Sequence, residues 1–143
     1  MQITEVENAL SGLDLKFDRE SEDKIVLGFS HNDTVGFSID LFLRGSRLSL
    51  RAYTTGDIGS DVDVLRKFTT WWNANRCLPK ATERNEGFIM DGEVTAWMES
   101  DLFFTEMLPP EYLQRWLELQ FRACAEFMGN LDLAMSLGCA AAT

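Results

Sequence analysis

Hydrophobic positions recur along this chain with two different periods. Ile3, Val6, Leu10 and Leu13 stand three and four residues apart, the spacing that gathers side chains on one face of a helix. Gly12 sits near the end of that run, where glycine suits a helix terminus. From Leu15 onward the period falls to two. Leu15 and Phe17 alternate with polar residues, as do Ile25, Leu27 and Phe29. Val35, Phe37, Ile39, Leu41 and Leu43 alternate without interruption, and Leu48, Leu50 and Ala52 follow the tight turn Arg44-Gly45-Ser46. This alternation predicts an antiparallel meander with one apolar face. The polar stretches 18–23 and 31–34 predict hairpin loops between its strands.

The helical period then returns. Ser60 is a good N-cap, with Asp61 and Asp63 in the first turn of a helix running to about Arg76. Val62 leads into its stripe of Leu65, Phe68 and Trp72, and Pro79 forbids continuation. Phe88 and Met90 lead into Asp91-Gly92, a strong hairpin signal. Val94, Ala96, Met98, Leu102 and Phe104 form the next apolar face. Pro109 and Pro110 suit the first turn of a last, long helix. Its stripe holds Leu113, Trp116, Leu117, Phe121, Cys124, Phe127, Met128 and Leu131, and it fades near Leu137-Gly138. The expected fold is α+β, in the order α-ββββ-α-ββ-α, with helices packed on one face of an antiparallel sheet. One domain spans residues 1–138, and residues 139–143 form a frayed tail.

Composition narrows the function. The chain has 143 residues, 45% of them hydrophobic, enough for a core that needs no disulfide or metal. The net charge is -10. So acidic a protein gains no counterion release from nucleic acid and no attraction to anionic membranes, so neither is expected as a partner. The charge is uneven: residues 64–86 hold 5 basic and 2 acidic side chains, the one net-positive stretch among three. Cys77, Cys124 and Cys139 are odd in number and contain no CxxC, which speaks against a disulfide framework, a zinc site and an oxidising compartment. Residues 1–7 have neither the basic nor the apolar region of a signal peptide. No uncharged run approaches the ~20 residues of a membrane span. A cytoplasmic protein without cofactor is the expectation.

Candidate chemistry is sparse. His31 is the single histidine, so any Ser-His-Asp or Cys-His site would have to use it; in a turn, it reads as a surface residue. There is no phosphate-binding glycine loop, zinc-protease motif or calcium loop. Glu99 and Asp101 lie two apart on a strand and share a face, where paired carboxylates could hold a metal or act as acid and base. That face is opposite to Ala96 and Met98, so solvated charge is the plainer reading. No catalytic residue is assigned, and the chain is not expected to be an enzyme.

The same alternation puts Trp97 on the face of Glu99 and Asp101. Phe42 points opposite to Leu41 and Leu43, and Tyr53 is out of phase with Leu48 and Leu50. Exposed aromatics on a polar sheet face suggest a protein interface. Trp97, Phe42 and Tyr53, with Arg51 beside the two carboxylates, are therefore the expected interface residues, for a second copy of the chain or for a client. The competing reading is that a helix or the tail covers them. Trp72 and Trp116 fall on helix stripes and read as core. An alternative function is a small-ligand sensor, with a pocket between the sheet and the last helix lined by Phe121, Phe127 and Met128.

Residues 71–79 read WWNANRCLP, followed by a DGE turn, the strand EVTAWMESDLFF and a proline-initiated helix containing LQRWLELQFRACAEFM. This resembles the YbjN family of bacterial sensory transduction regulators. The matching positions are Trp72, Asn73 and Arg76; Asp91 and Gly92; Glu99, Asp101 and Leu102; and Leu113, Leu117, Phe121, Ala125 and Phe127. Trp71-Trp72 replaces the simple aromatic-acidic pair usual before the asparagine, and residues 80–86 are unusually polar for the family. The resemblance implies a fold similar to the chaperones of type III secretion, which are acidic, cytoplasmic, commonly homodimeric and bind extended client segments. It implies no catalytic residue.

Overall fold

Ile25, Leu27, Ile39, Leu41, Leu48, Leu50, Ala52 and Met98, separated by up to 73 positions in sequence, line one face of a single sheet and are fully buried. The computed structural model describes residues 1–33, 35–56, 58, 62–76, 79–84, 95–104 and 108–136. Within them the order is α1 (Ile3–Gly12), β1 (Asp18–Ser21), β2 (Lys24–Ser30), β3 (Val35–Arg44), β4 (Arg47–Gly56), α2 (Val62–Asn75), β5 (Lys80–Arg84), β6 (Thr95–Phe103) and α3 (Pro110–Ser136). The six strands run β1-β2-β3-β4-β6-β5, and every neighbouring pair is antiparallel. This is the α+β order that the periodicity predicts.

Local chemistry sets the element ends. The Glu5 carboxylate accepts a 2.6 Å hydrogen bond from the Gln2 backbone N–H at the start of α1. Asp14, at φ +58°, turns the chain out of that helix; aspartate tolerates this left-handed conformation better than most side chains. The two-residue loop between β3 and β4 places Gly45 at φ +58°, in the first central position, where glycine suits a type II′ turn.

The three helices cover the apolar face. Phe121 of α3 lies 5.6 Å from Phe29 of β2, and Phe127 meets both Phe68 and Trp72 of α2 at 5.1 Å. A buried hydrogen bond of 2.8 Å from Ser100 Oγ to Gln120 Oε1 ties β6 to α3, leaving neither polar group unsatisfied. Phe121, Phe127 and Met128 are thus packed into the core. Their side chains occupy the space between sheet and helix where the sequence places a ligand pocket. Trp72 is fully buried, whereas Trp116 is half-buried at the edge of the core.

Two strand positions differ from expectation. Residues 18–21, read as part of a loop, form β1, an exposed strand at the sheet edge whose register shifts between Arg19 and Ser21. An edge strand with no buried face shows no alternation, and a short, charged, irregular edge resists pairing with other chains. Leu15 and Phe17 precede it as half-buried residues packed on the core. The strand before β6 lies at Lys80–Arg84, ahead of Phe88 and Met90. Those two residues, the Asp91-Gly92 turn, Val94, the Ser60 cap with Asp61, Cys77, and residues 137–143 lie outside the described residues.

Candidate functional site

The face of the sheet opposite the helices is built by cross-strand pairs. Tyr53 of β4 is paired with Trp97 of β6, Arg51 with Glu99 and Ser49 with Asp101; on the other side of β4, Asp40 of β3 is paired with Arg51 and Phe42 with Ser49; Lys24 of β2 is paired with Phe42. In an antiparallel sheet such partners share a face with Cβ atoms about 5 Å apart. The four residues singled out by alternation, Phe42, Arg51, Tyr53 and Trp97, therefore come together on one surface.

Two aromatic units make up its apolar part. Tyr53 and Trp97 stack with ring centroids 5.3 Å apart. Phe42 stands between cations: Lys24 Nζ is 5.2 Å, the Arg44 guanidinium 5.4 Å and the Arg51 guanidinium 6.0 Å from its ring centroid. Arg51 also lies 5.7 Å from the Trp97 ring, joining the two units. A guanidinium over an aromatic face is attracted by the ring quadrupole.

Trp97 departs from expectation. It lies on the outer face but is only 8% exposed. Tyr53 covers one side of the indole, and its Nε1–H donates to Thr95 Oγ1 at 3.1 Å. Tyr53 and Phe42 are half-buried and Arg51 is exposed. The accessible aromatic surface is therefore that of Phe42 and Tyr53, with Trp97 beneath as support.

Carboxylates rim the patch. Arg51 Nε pairs with Glu99 at 3.3 Å, Arg47 Nε reaches Asp101 at 4.0 Å, and the Ser49 hydroxyl donates to the same Asp101. Phe42, Arg47, Ser49, Arg51, Glu99 and Asp101 enclose a hollow of about 180 Å³. Glu99 and Asp101 are exposed and satisfied by these partners, as solvated charges would be. Lys24 pairs with Glu20 at 2.5 Å and approaches Asp40 at 4.0 Å. The hydrogen bond to Glu20 raises the Lys24 pKa, with burial opposing. Burial likewise raises the pKa of Asp40, against the attraction of Lys24. Lys24, Arg44 and Asp40 were not singled out by sequence; all three are in phase with the outer side of their strands, Arg44 as the last residue of β3.

A second arrangement explains a sequence motif. The Asn73 side chain on α2 takes the backbone N–H of Ala81 on Oδ1 at 2.8 Å and gives Nδ2–H to the carbonyl of the same residue at 2.7 Å. Trp72 Nε1–H donates to the Pro79 carbonyl at 2.8 Å, and Lys80 Nζ donates to the carbonyls of Asn73 and Arg76 at the end of the helix. Arg76 pairs with Glu126 of α3. The WN…R segment thus anchors β5 and α3 to α2. Its role is architectural.

The remaining candidates are apart from this face. His31 Nε2 lies 3.7 Å from an Asp132 carboxylate oxygen of α3. Cys124 is buried in α3, which pushes its thiol pKa up to about 12. Among the described residues no three His, Cys, Asp or Glu side chains cluster as metal ligands would, and no helix is long and apolar enough to cross a membrane.

A family model, YbjN, described as "Putative bacterial sensory transduction regulator", matches residues 2–132. No curated protein matches the chain. Among solved structures, "Crystal structure of YbjN, a putative transcription regulator from E. coli" aligns with a TM-score of 0.66 at 16% identity, covering 87% of each chain. At that identity the likeness concerns the fold.

Proposed function

The chain belongs to the YbjN family, and from that premise we propose that it is a non-enzymatic regulator acting from the cytoplasm by binding a protein partner on the outer face of its sheet. One observation carries the reading. In a protein of net charge -10, this face places Phe42 among Lys24, Arg44 and Arg51, beside the Tyr53–Trp97 stack. Aromatic and arginine side chains supply most of the energy of protein interfaces. Cations around an apolar ring suit a client segment that presents an aliphatic or aromatic side chain next to carboxylates. The exposed acidic rim of Glu99 and Asp101 orients such a segment by repelling its carboxylates toward the cations.

The partner is a client protein, in the manner implied by the resemblance to secretion chaperones, and Phe42 and Arg51 are its principal contacts. The experiment is a cross-linked capture from bacterial cytosol, run in parallel with the wild-type chain and with the Phe42→Ala and Arg51→Glu variants. A specific protein recovered by the wild type and lost with both variants supports the reading. Equal recovery by all three, with the variants folded, refutes the outer face as the binding surface.

A further inference from the structure

The hairpin end of the outer face brings two like charges together. Arg44 and Arg47 close the β3–β4 turn as directly opposed residues, and Arg47 is paired in turn with Phe103 of β6. Opposed residues of an antiparallel pair stand with Cβ atoms about 5 Å apart, and like charges there are destabilising. Elsewhere on this face the cations are tied to carboxylates, Lys24 to Glu20 and Arg51 to Glu99. Among the described residues Arg44 forms no ion pair, and its guanidinium lies 5.4 Å from the Phe42 ring centroid. Arg47 Nε stands 4.0 Å from Asp101, a carboxylate that already accepts the Ser49 hydroxyl. Apolar surface adjoins both arginines: Phe42 is half-buried, and Phe103 is 70% exposed.

The charges settle what fits this corner. A carboxylate brings a single charge and leaves one of the opposed arginines uncompensated. A phosphoryl group brings a charge of about -1.5 to -2 at pH 7 and three acceptor oxygens, and a guanidinium meets such oxygens with two parallel N–H donors. The rest of the chain sharpens the choice. Its net charge is -10, and Glu99 and Asp101 lie on the same face, farther along β6 from Phe103. A run of carboxylates laid across the face meets their repulsion. One compact dianion at the turn stays on the arginine side of them, with Phe42 and Phe103 beside it for an apolar group.

We propose that Arg44 and Arg47 form a clamp for a phosphoryl group carried by the client segment, with Phe42 and Phe103 packing the apolar side chain next to it. The inference rests on the reading of the outer face as the client surface and adds a condition to it: the segment is held in its phosphorylated form and released when the phosphoryl group is removed. The opposed arginines, unfavourable in the free protein, become favourable once a dianion lies between them.

Phenyl phosphate joins the two chemistries in one probe. Titrated to about 10 mM, enough to saturate a site with a Kd of about 1 mM, it is expected to shift the Arg44 and Arg47 Nε–H resonances and the Phe42 and Phe103 ring resonances of the full chain. Arg44→Gln and Arg47→Gln should each weaken it at least about tenfold, and Arg122→Gln on α3 should not. Arg44→Gln should leave the melting temperature equal or higher, because it relieves the opposed charges; a lower one would mean that Arg44 serves the hairpin and would overturn the clamp. So would no response to phenyl phosphate, equal binding of benzoate, which bears a single charge, or equal binding of inorganic phosphate, which has no ring. Capture from bacterial cytosol treated with a phosphatase separates this inference from the reading beneath it. A client lost on that treatment and lost with Arg44→Gln supports the clamp. A client recovered equally from treated cytosol, yet lost with Phe42→Ala, overturns the clamp and leaves the client surface standing.

Discussion

Tyr53 lies across Trp97 on adjacent strands, their ring centroids 5.3 Å apart and their planes 27° from parallel. The stack covers one side of an outer-face tryptophan that is only 8% exposed. Trp97→Ala should therefore cost about 3–5 kcal/mol, where the strand alternation by itself predicts an exposed ring and a loss within about 1 kcal/mol. A denaturant melt decides between the two values. Phe42→Ala on the same face, whose ring is half-buried, should cost clearly less than Trp97→Ala.

Asn73 bonds both backbone groups of Ala81. Asn73→Ala leaves them without that partner, and an unsatisfied buried polar group costs about 1–3 kcal/mol. Hydrogen exchange should show the Ala81 amide losing protection before the amides of β3, one of the two central strands. Unchanged protection at Ala81 would remove the anchoring role.

Gly36 is paired with Ser30 across β2 and β3, and a Cβ there would stand 2.2 Å from the Phe29 carbonyl oxygen. The obstacle is backbone, so it cannot rotate away. Gly36→Ala should lower stability by about 1–3 kcal/mol, the cost of overpacking, seen as a drop in the thermal midpoint. Gly28→Ala, where nothing lies within 4 Å of the added atom, serves as the control.

Phe121 is 8% exposed and packs on Phe29 at 5.6 Å. Phe121→Ala is expected to remove about 3–5 kcal/mol. A loss below about 1 kcal/mol, the range of surface substitutions, would mean that α3 does not dock on the sheet in solution.

Burial holds the Cys124 thiol neutral up to about pH 12. In the unfolded chain the thiol ionises at about 8.5. Between those values the unfolded state binds fewer protons than the folded one, so stability falls as pH rises above about 8.5 and is independent of this group below it. Cys124→Ala should remove about 1.4 kcal/mol per pH unit from the alkaline slope of the wild type. In the native protein the same thiol should react with a disulfide reagent only as fast as the core opens.

The element order, the face of each long strand and the core stripe of α3 were legible in the sequence because each is a local periodic record of burial. Val35 to Leu43 alternate because one side of β3 faces the helices, and Phe121, Cys124, Phe127 and Met128 recur because one side of α3 faces the sheet. The family resemblance was legible for a similar reason: Trp72, Asn73 and Arg76 are recognisable as a string. Tertiary structure alone decided the rest. β1 has no buried side, so its residues 18–21 carry no period to read. β5 is held at Lys80–Arg84 by the Asn73 side chain, eight positions upstream of the Ala81 that it bonds, which no alternation records. Periodicity tells which way Trp97 points, and it pointed outward as expected. Whether a ring that points outward is reached by solvent depends on the residues around it on neighbouring strands, and Tyr53, 44 positions away in sequence, becomes such a neighbour only once β4 and β6 are paired.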